Sequence, residues 1–89
     1  MLDIKDLECF VVAYEAKSFS AAGHKLSTVQ SNVSARVRRL EGTLDASLFQ
    51  RKRYRLEPTV EGERLYQHAK HVLGLIAYSN EVVKGRSAA

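Results

Sequence analysis

The chain holds one cysteine, one proline and no tryptophan among 89 residues. A lone cysteine cannot close a disulfide within the chain, which excludes a small secreted scaffold stapled by disulfides. No apolar run approaches the ~20 residues that a bilayer-spanning helix needs. The opening Met-Leu-Asp-Ile-Lys-Asp carries acids and no apolar stretch, unlike a signal peptide, so a reducing cytoplasm is the expected compartment. Proline occurs only at Pro58, and no repeat or low-complexity stretch interrupts the pattern. So short a chain leaves little room for a pocket beside a core, which argues against catalysis. What is present, 45% hydrophobic and 27% charged residues, suits one folded domain rather than disorder.

The net charge of +4 is unevenly spread. Between residues 25 and 55, Lys25, Arg36, Arg38, Arg39, Arg51, Lys52, Arg53 and Arg55 face only Glu41 and Asp45. The flanking thirds are acidic or neutral. A basic block of this kind suits a polyanion-binding surface, although a merely solvated basic face would have the same composition.

Apolar spacing is helical almost throughout. A first helix is expected after the N-cap Asp3, fading near Ala16, with Ile4, Leu7, Val11 and Tyr14 inward and Phe10 beside them. Phe19 is expected to plug the core from a loop. Ser20 would cap a short second helix through Leu26, and Gly23 would allow another helix to approach closely. Thr28 would cap a third helix with Val29, Val33, Val37, Leu40 and Leu44 inward. Its other side offers Gln30, Ser31, Ser34, Ala35 and Arg38, and the run Gln30, Ser31, Asn32 and Ser34 is more polar and less charged than an ordinary solvent face. Short hydrogen-bonding side chains let a backbone approach base edges, while arginines behind them reach phosphates.

Leu48–Arg51 and Arg55–Pro58 are expected as two short strands around Lys52-Arg53-Tyr54, a basic wing able to lie along a nucleic-acid backbone or enter the minor groove. Thr59 would cap a long fourth helix running to about Val83. Leu65, Ala69, Val72, Ile76 and Val83 form a heptad-like seam on it, widened by Tyr66, Leu73 and Tyr78. That much apolar surface suggests pairing with a second copy. The expected organisation is therefore a mainly α winged helix-turn-helix over 1–59, a linker or dimerisation helix over 60–84 and a tail over 85–89.

Other functions have less to rest on. His68 and His71 could share a metal, but no third ligand is evident, and no metal site is expected. Cys9 has no indicated base and is expected at the edge of the first helix near the fourth, where a bridge across a dimer could form. His24 is expected as a polar position on the second helix. A basic amphipathic helix can bind membranes, yet the cations here lie partly on a wing. A stand-alone helical adaptor, using its long helix on another protein, is the alternative to DNA binding.

The ordered set Ser18-Phe19-Ser20-Ala21-Ala22, Leu26, Gln30, Val33-Ser34, Arg38-Arg39-Leu40-Glu41, Leu44, Leu48-Phe49-Gln50-Arg51 and Thr59-x-x-Gly62 resembles the N-terminal domain of LysR-type transcriptional regulators. The resemblance extends from about Leu2 to Val83. It implies a winged helix-turn-helix with its motif at about 21–40, and a linker helix pairing antiparallel in a homodimer. It further implies bacterial operator DNA of partly palindromic sequence, RNA polymerase as a further partner, and tetramers in full-length proteins. No cofactor is implied here; a small effector would bind a C-terminal domain outside this chain. Carried over, Gln30 and Ser34 would touch base edges or neighbouring phosphates, with Thr28, Ser31, Asn32, Arg36 and Arg38 beside them. Ser20, Arg51, Lys52, Arg53 and Arg55 would hold the backbone. The family commonly has Ser-Gln-Pro where this chain has Val29-Gln30-Ser31, and Arg where it has Ala35.

Overall fold

A computed structural model describes residues 2–53 and 55–85. Asp3 opens α1 (Ile4–Ala16) as expected: its side chain accepts from the backbone N–H of Lys5 and Asp6. These N–H donors hold the Asp3 carboxyl below the usual carboxylate range, with Arg39 adding to the effect. The helix ends where Lys17 turns left-handed, φ 55°. Ser18, rather than Ser20, then caps α2 (Phe19–Lys25), its hydroxyl accepting from Ala21 N–H. Phe19 is thus the first residue of a helix, not a loop plug, although it still packs edge-on against Phe49 at 5.9 Å.

Gly23 fulfils its expected role. A Cβ there would come within 2.9 Å of Thr28 O and 3.2 Å of Gln30 N, so only glycine lets α2 press on the start of α3 (Gln30–Leu44). That start differs from expectation. Val29, not Thr28, is the N-cap of α3, and no side chain caps the helix. Its backbone is extended, φ −96° and ψ 156°, so helical periodicity does not reach it and Val29 is 63% exposed instead of inward. Relative to a serine or threonine cap, this costs ~1 kcal/mol. Ile4 and Leu44 are also exposed, because each lies at a helix end beyond the packed middle. Val33, Val37 and Leu40 are buried as expected and meet Leu7, Phe10, Ala13 and Ala22 in one core.

β1 (Phe49–Lys52) pairs antiparallel with β2 (Arg55–Pro58) in the register Phe49↔Pro58 to Lys52↔Arg55. Lys52 therefore belongs to a strand and Leu48 precedes it. Arg53 takes the left-handed conformation at the tip, φ 56°, which costs a non-glycine residue ~1 kcal/mol; Tyr54, its neighbour there, lies outside the described residues. Two bonds tie the hairpin down: Leu56 N–H donates to Lys17 O at 3.3 Å, and Thr59 N–H to Leu48 O at 3.0 Å.

Thr59 caps α4 (Val60–Val83), accepting from Gly62 N–H at 3.0 Å. A Cβ on Gly62 would sit 2.2 Å from Leu48 O, so the Thr59-x-x-Gly62 spacing seats α4 against the end of the β1 approach. Tyr14 and Tyr66 stack at 3.8 Å and 8°. Their hydroxyls cross over: Tyr14 donates to Glu63, and Tyr66 to Glu15 at 2.6 Å. Lys70 reaches Glu15 as well, at 3.3 Å. The bond to Glu63 pushes the Tyr14 phenol up to about 12, and the bond from Tyr66 holds Glu15 down. These contacts brace only the first half of α4; the rest projects from the core. The expected tail beyond Gly85 lies outside the described residues.

Candidate nucleic-acid interface

Three ridges run along the exposed side of α3. Positions 30, 34 and 38 share one flank, 32 and 36 the other, and 31 and 35 stand between them; Thr28 precedes the helix beside Asn32. The flanks have different surroundings. Gln30 opens onto a cleft with Lys17, Ser18, Ser20, Arg51, Arg53 and Arg55, where the starts of α2 and α3 meet the wing. Ser34 and Arg38 continue along the same side against Phe19, Phe49 and Arg51. Ser34 is half-buried, and its hydroxyl donates to Ser31 O at 3.2 Å, leaving lone pairs to accept from a ligand. Gln30, Ser31, Ala35 and Arg38 are exposed.

The cations around this cleft are positioned by rings and carboxylates. Arg51 lies 5.4 Å from the Phe19 ring and Lys17 3.9 Å from the Tyr14 ring, both within cation–π range. Lys52 and Arg55 each reach Glu57, at 3.8 and 3.2 Å, so one carboxylate offsets part of the wing charge. Arg53 is exposed at the tip. Among the described residues, Arg38, Arg51 and Arg53 make no ion pair.

The opposite flank is committed inward. Arg36, expected to reach phosphate, donates instead to the Asp6 carboxylate at 3.0 Å. Asp6 is 2% exposed and accepts from Arg39 as well, at 2.8 Å, while Arg39 spans to Asp3 at 2.8 Å. The Asp6 and Asp3 carboxylates raise the Arg39 pKa further. Asn32 donates to Thr28 Oγ1 at 3.1 Å. Cys9 lies on this side, beside Lys5, Leu26, Thr28, Asn32 and Arg36, not near α4 as expected. It is 7% exposed, burial pushes its thiol pKa up, and that depth disfavours a bridge to a second chain.

On α4 the seam expected for pairing divides. Ala69 is 1% exposed and belongs to the chain's own core, with Leu65 and Leu73 packed against it. Val72, Ile76 and Val83 are exposed. Leu75, Tyr78 and Val82 join them, giving the distal half an apolar stripe at helical spacing. His24, His68 and His71 are exposed. Sequence reasoning missed Lys17 and Ser18 at the cleft and Leu75 and Val82 on the stripe. It also missed the Asp3–Asp6–Arg36–Arg39 network, whose partners are 30 to 36 positions apart.

Residues 4–63 match the family described as bacterial regulatory helix-turn-helix protein, lysR family. The chain belongs to the LysR family. This LysR-type domain is 41% identical over 71 residues to the HTH-type transcriptional regulator YofA of Bacillus subtilis, covering 80% of the chain and 25% of YofA. It is 36% identical over 69 residues to the transcriptional activator protein LysR of Escherichia coli, covering 78% and 22%. The chain thus spans about a quarter of the length of the curated relatives it matches. Among solved structures it resembles the BenM DBD/catB site 1 DNA complex, with TM-score 0.91, 27% identity, and 99% and 98% of the two chains covered. A Vibrio fischeri DarR complex with DNA gives TM-score 0.89 at 29% identity, covering 96% of this chain and 29% of that one. The winged helix-turn-helix is therefore the LysR-type fold, with the long helix that follows it.

Proposed function

We propose that this LysR-type domain reads double-stranded operator DNA in a bacterial transcriptional regulator, with α3 in the major groove and the wing on the backbone or minor groove. The observation that carries this reading is the cleft joining Gln30 to Lys17, Arg51, Arg53 and Arg55. It sets a short polar helix face beside cations, the two kinds of group that base edges and phosphates require. The DNA complexes of BenM and DarR support it. Gln30, Ser31, Ser34 and Arg38 are the groove-facing set; Ser20, Arg51, Lys52, Arg53 and Arg55 hold the backbone. Thr28 and Asn32 flank the set, and Arg36 serves the fold rather than the ligand.

Two copies pair through the distal half of α4, where Val72, Leu75, Ile76, Val82 and Val83 are exposed. A dimer of this kind reads an inverted repeat. The domain works without a cofactor or catalytic step of its own. In a full-length regulator of this type, the effector site and contacts with RNA polymerase lie partly or wholly elsewhere. Its place of action is the bacterial cytoplasm, at the nucleoid when bound. No helix among the described residues is long and apolar enough to cross a membrane.

Selection of bound duplexes from a random library, followed by a salt titration, tests this reading. The expected outcome is an enriched inverted repeat whose affinity falls steeply with salt. Uniform binding to all sequences would refute the base-reading role of α3. A monomer that ignores duplex DNA at low salt would favour the adaptor alternative.

A further inference from the structure

Three of the four helices begin on a side-chain oxygen that accepts a backbone N–H: Asp3, Ser18 and Thr59. The exception is α3, the helix assigned to the groove. Its N-cap is Val29, which makes no capping bond and leaves its β-branched side chain 63% exposed at the helix tip. The position is not loosely held. Gly23 lets α2 press against this segment, a Cβ there lying 3.2 Å from Val29 C, and Thr28 N–H donates to Gly23 O at 2.8 Å. A fixed backbone and a β-branched side chain with few rotamers present one stiff apolar surface. The next residue, Gln30, already lines the cleft with the wing cations.

We propose that Val29 is a specificity-determining residue that packs on the C5-methyl group of a thymine in each half-site. The inference rests on the reading that α3 enters the major groove. The N-terminal residues of a groove-bound recognition helix are those nearest the base edges. The major groove offers an apolar group only where thymine carries its methyl. A valine in a capping position forfeits a hydrogen bond in the free protein and supplies methyl groups to the one base feature they can recognise. Serine there would cap the helix and forgo the apolar packing.

The test removes the methyl from either side. Each thymine of the duplex selected by the chain is replaced in turn by deoxyuridine, which deletes the C5-methyl and leaves the pairing edge unchanged. For the unaltered chain, one position per half-site should lose affinity about three- to fivefold, the effect of one buried methyl-sized group. Val29→Ser should show no penalty at that position and should melt at higher temperature, because the cap is restored. The higher melting point also establishes that the variant is folded. Indifference of the unaltered chain to every thymine replacement would overturn the proposal, as would an unchanged penalty in Val29→Ser. Failure to select any sequence would remove the DNA reading itself and the proposal with it. Selection of a motif that is blind to the methyl would remove the proposal alone.

Discussion

Arg36 and Arg38 lie two residues apart on α3, yet they face different partners. Arg36 turns inward to the buried Asp6, which also holds Arg39. Arg38 is exposed beside Ser34 and Arg51 and makes no ion pair among the described residues. The same difference recurs on the wing, where Lys52 and Arg55 share Glu57 while Arg53, at the tip, makes no ion pair among the described residues. Formal charge is therefore a poor count of charge available to a ligand. Part of the basic block fastens α3 to α1, part is offset by Glu57, and Arg38, Arg51 and Arg53 make no ion pair among the described residues.

The sharpest way to break this division is at Asp6. Asp6→Asn should cost ~2–3 kcal/mol, because two arginines lose a charged acceptor inside the fold. Denaturant midpoints at constant slope would measure it, and an unchanged midpoint would show that the network holds nothing. Next comes the arginine pair. Arg36→Ala should cost ~1 kcal/mol of stability with the salt slope of binding unchanged. Arg38→Ala, or Arg53→Ala, should leave the melting temperature alone and flatten that slope by ~0.9 for each phosphate no longer neutralised. Equal slopes for Arg36→Ala and Arg38→Ala would dissolve the distinction between the two flanks. Glu57→Gln has a smaller effect and the opposite sign. Releasing Lys52 and Arg55 should tighten binding to all sequences two- to threefold, by ~0.5 kcal/mol, with a steeper salt slope.

The smallest effect concerns pH. The Tyr14 phenol is raised in the fold from 10.0 to about 12 by its bond to Glu63. A folded-state pKa above the unfolded value stabilises fully at pH below 10 and is lost as pH rises toward 12. Tyr14→Phe should reduce that alkaline loss to the part contributed by Tyr66, whose phenol is raised by its bond to Glu15, and the absorbance titration of tyrosinate should lose one late step. An identical alkaline profile in the variant would place the effect elsewhere.

Much of the fold is legible in the sequence, for local reasons. Asp3 and Thr59 are caps whose donors lie two or three residues on, and Val33, Val37 and Leu40 follow a period that burial respects. The errors arise where locality ends. Ser18 and Ser20 are equally good caps by type, and only the left-handed turn at Lys17 decides between them. Val29 continues the apolar spacing of α3 but sits in extended backbone, where that spacing has no meaning. The seam on α4 shows which residues are apolar without showing which neighbour covers them; Ala69 is buried in the chain's own core and Ile76 is exposed. At the candidate site, Gln30 and the wing cations are legible because residue type and order suffice. The inward turn of Arg36 depends on a partner 30 positions away, which no local pattern reveals.

The brace of Tyr14 on Tyr66 has a consequence for operator geometry. The 24 residues of α4 span about 36 Å, and only the end nearest the core is anchored. In the proposed dimer that helix acts as a lever between the joint and the other reading head. From the stacked rings to Val83 the arm is about 26 Å, so a tilt of about 7° there displaces the far end by about 3 Å, close to the rise of one base pair. Two tyrosines that touch no nucleotide would thus help to set the distance between half-sites.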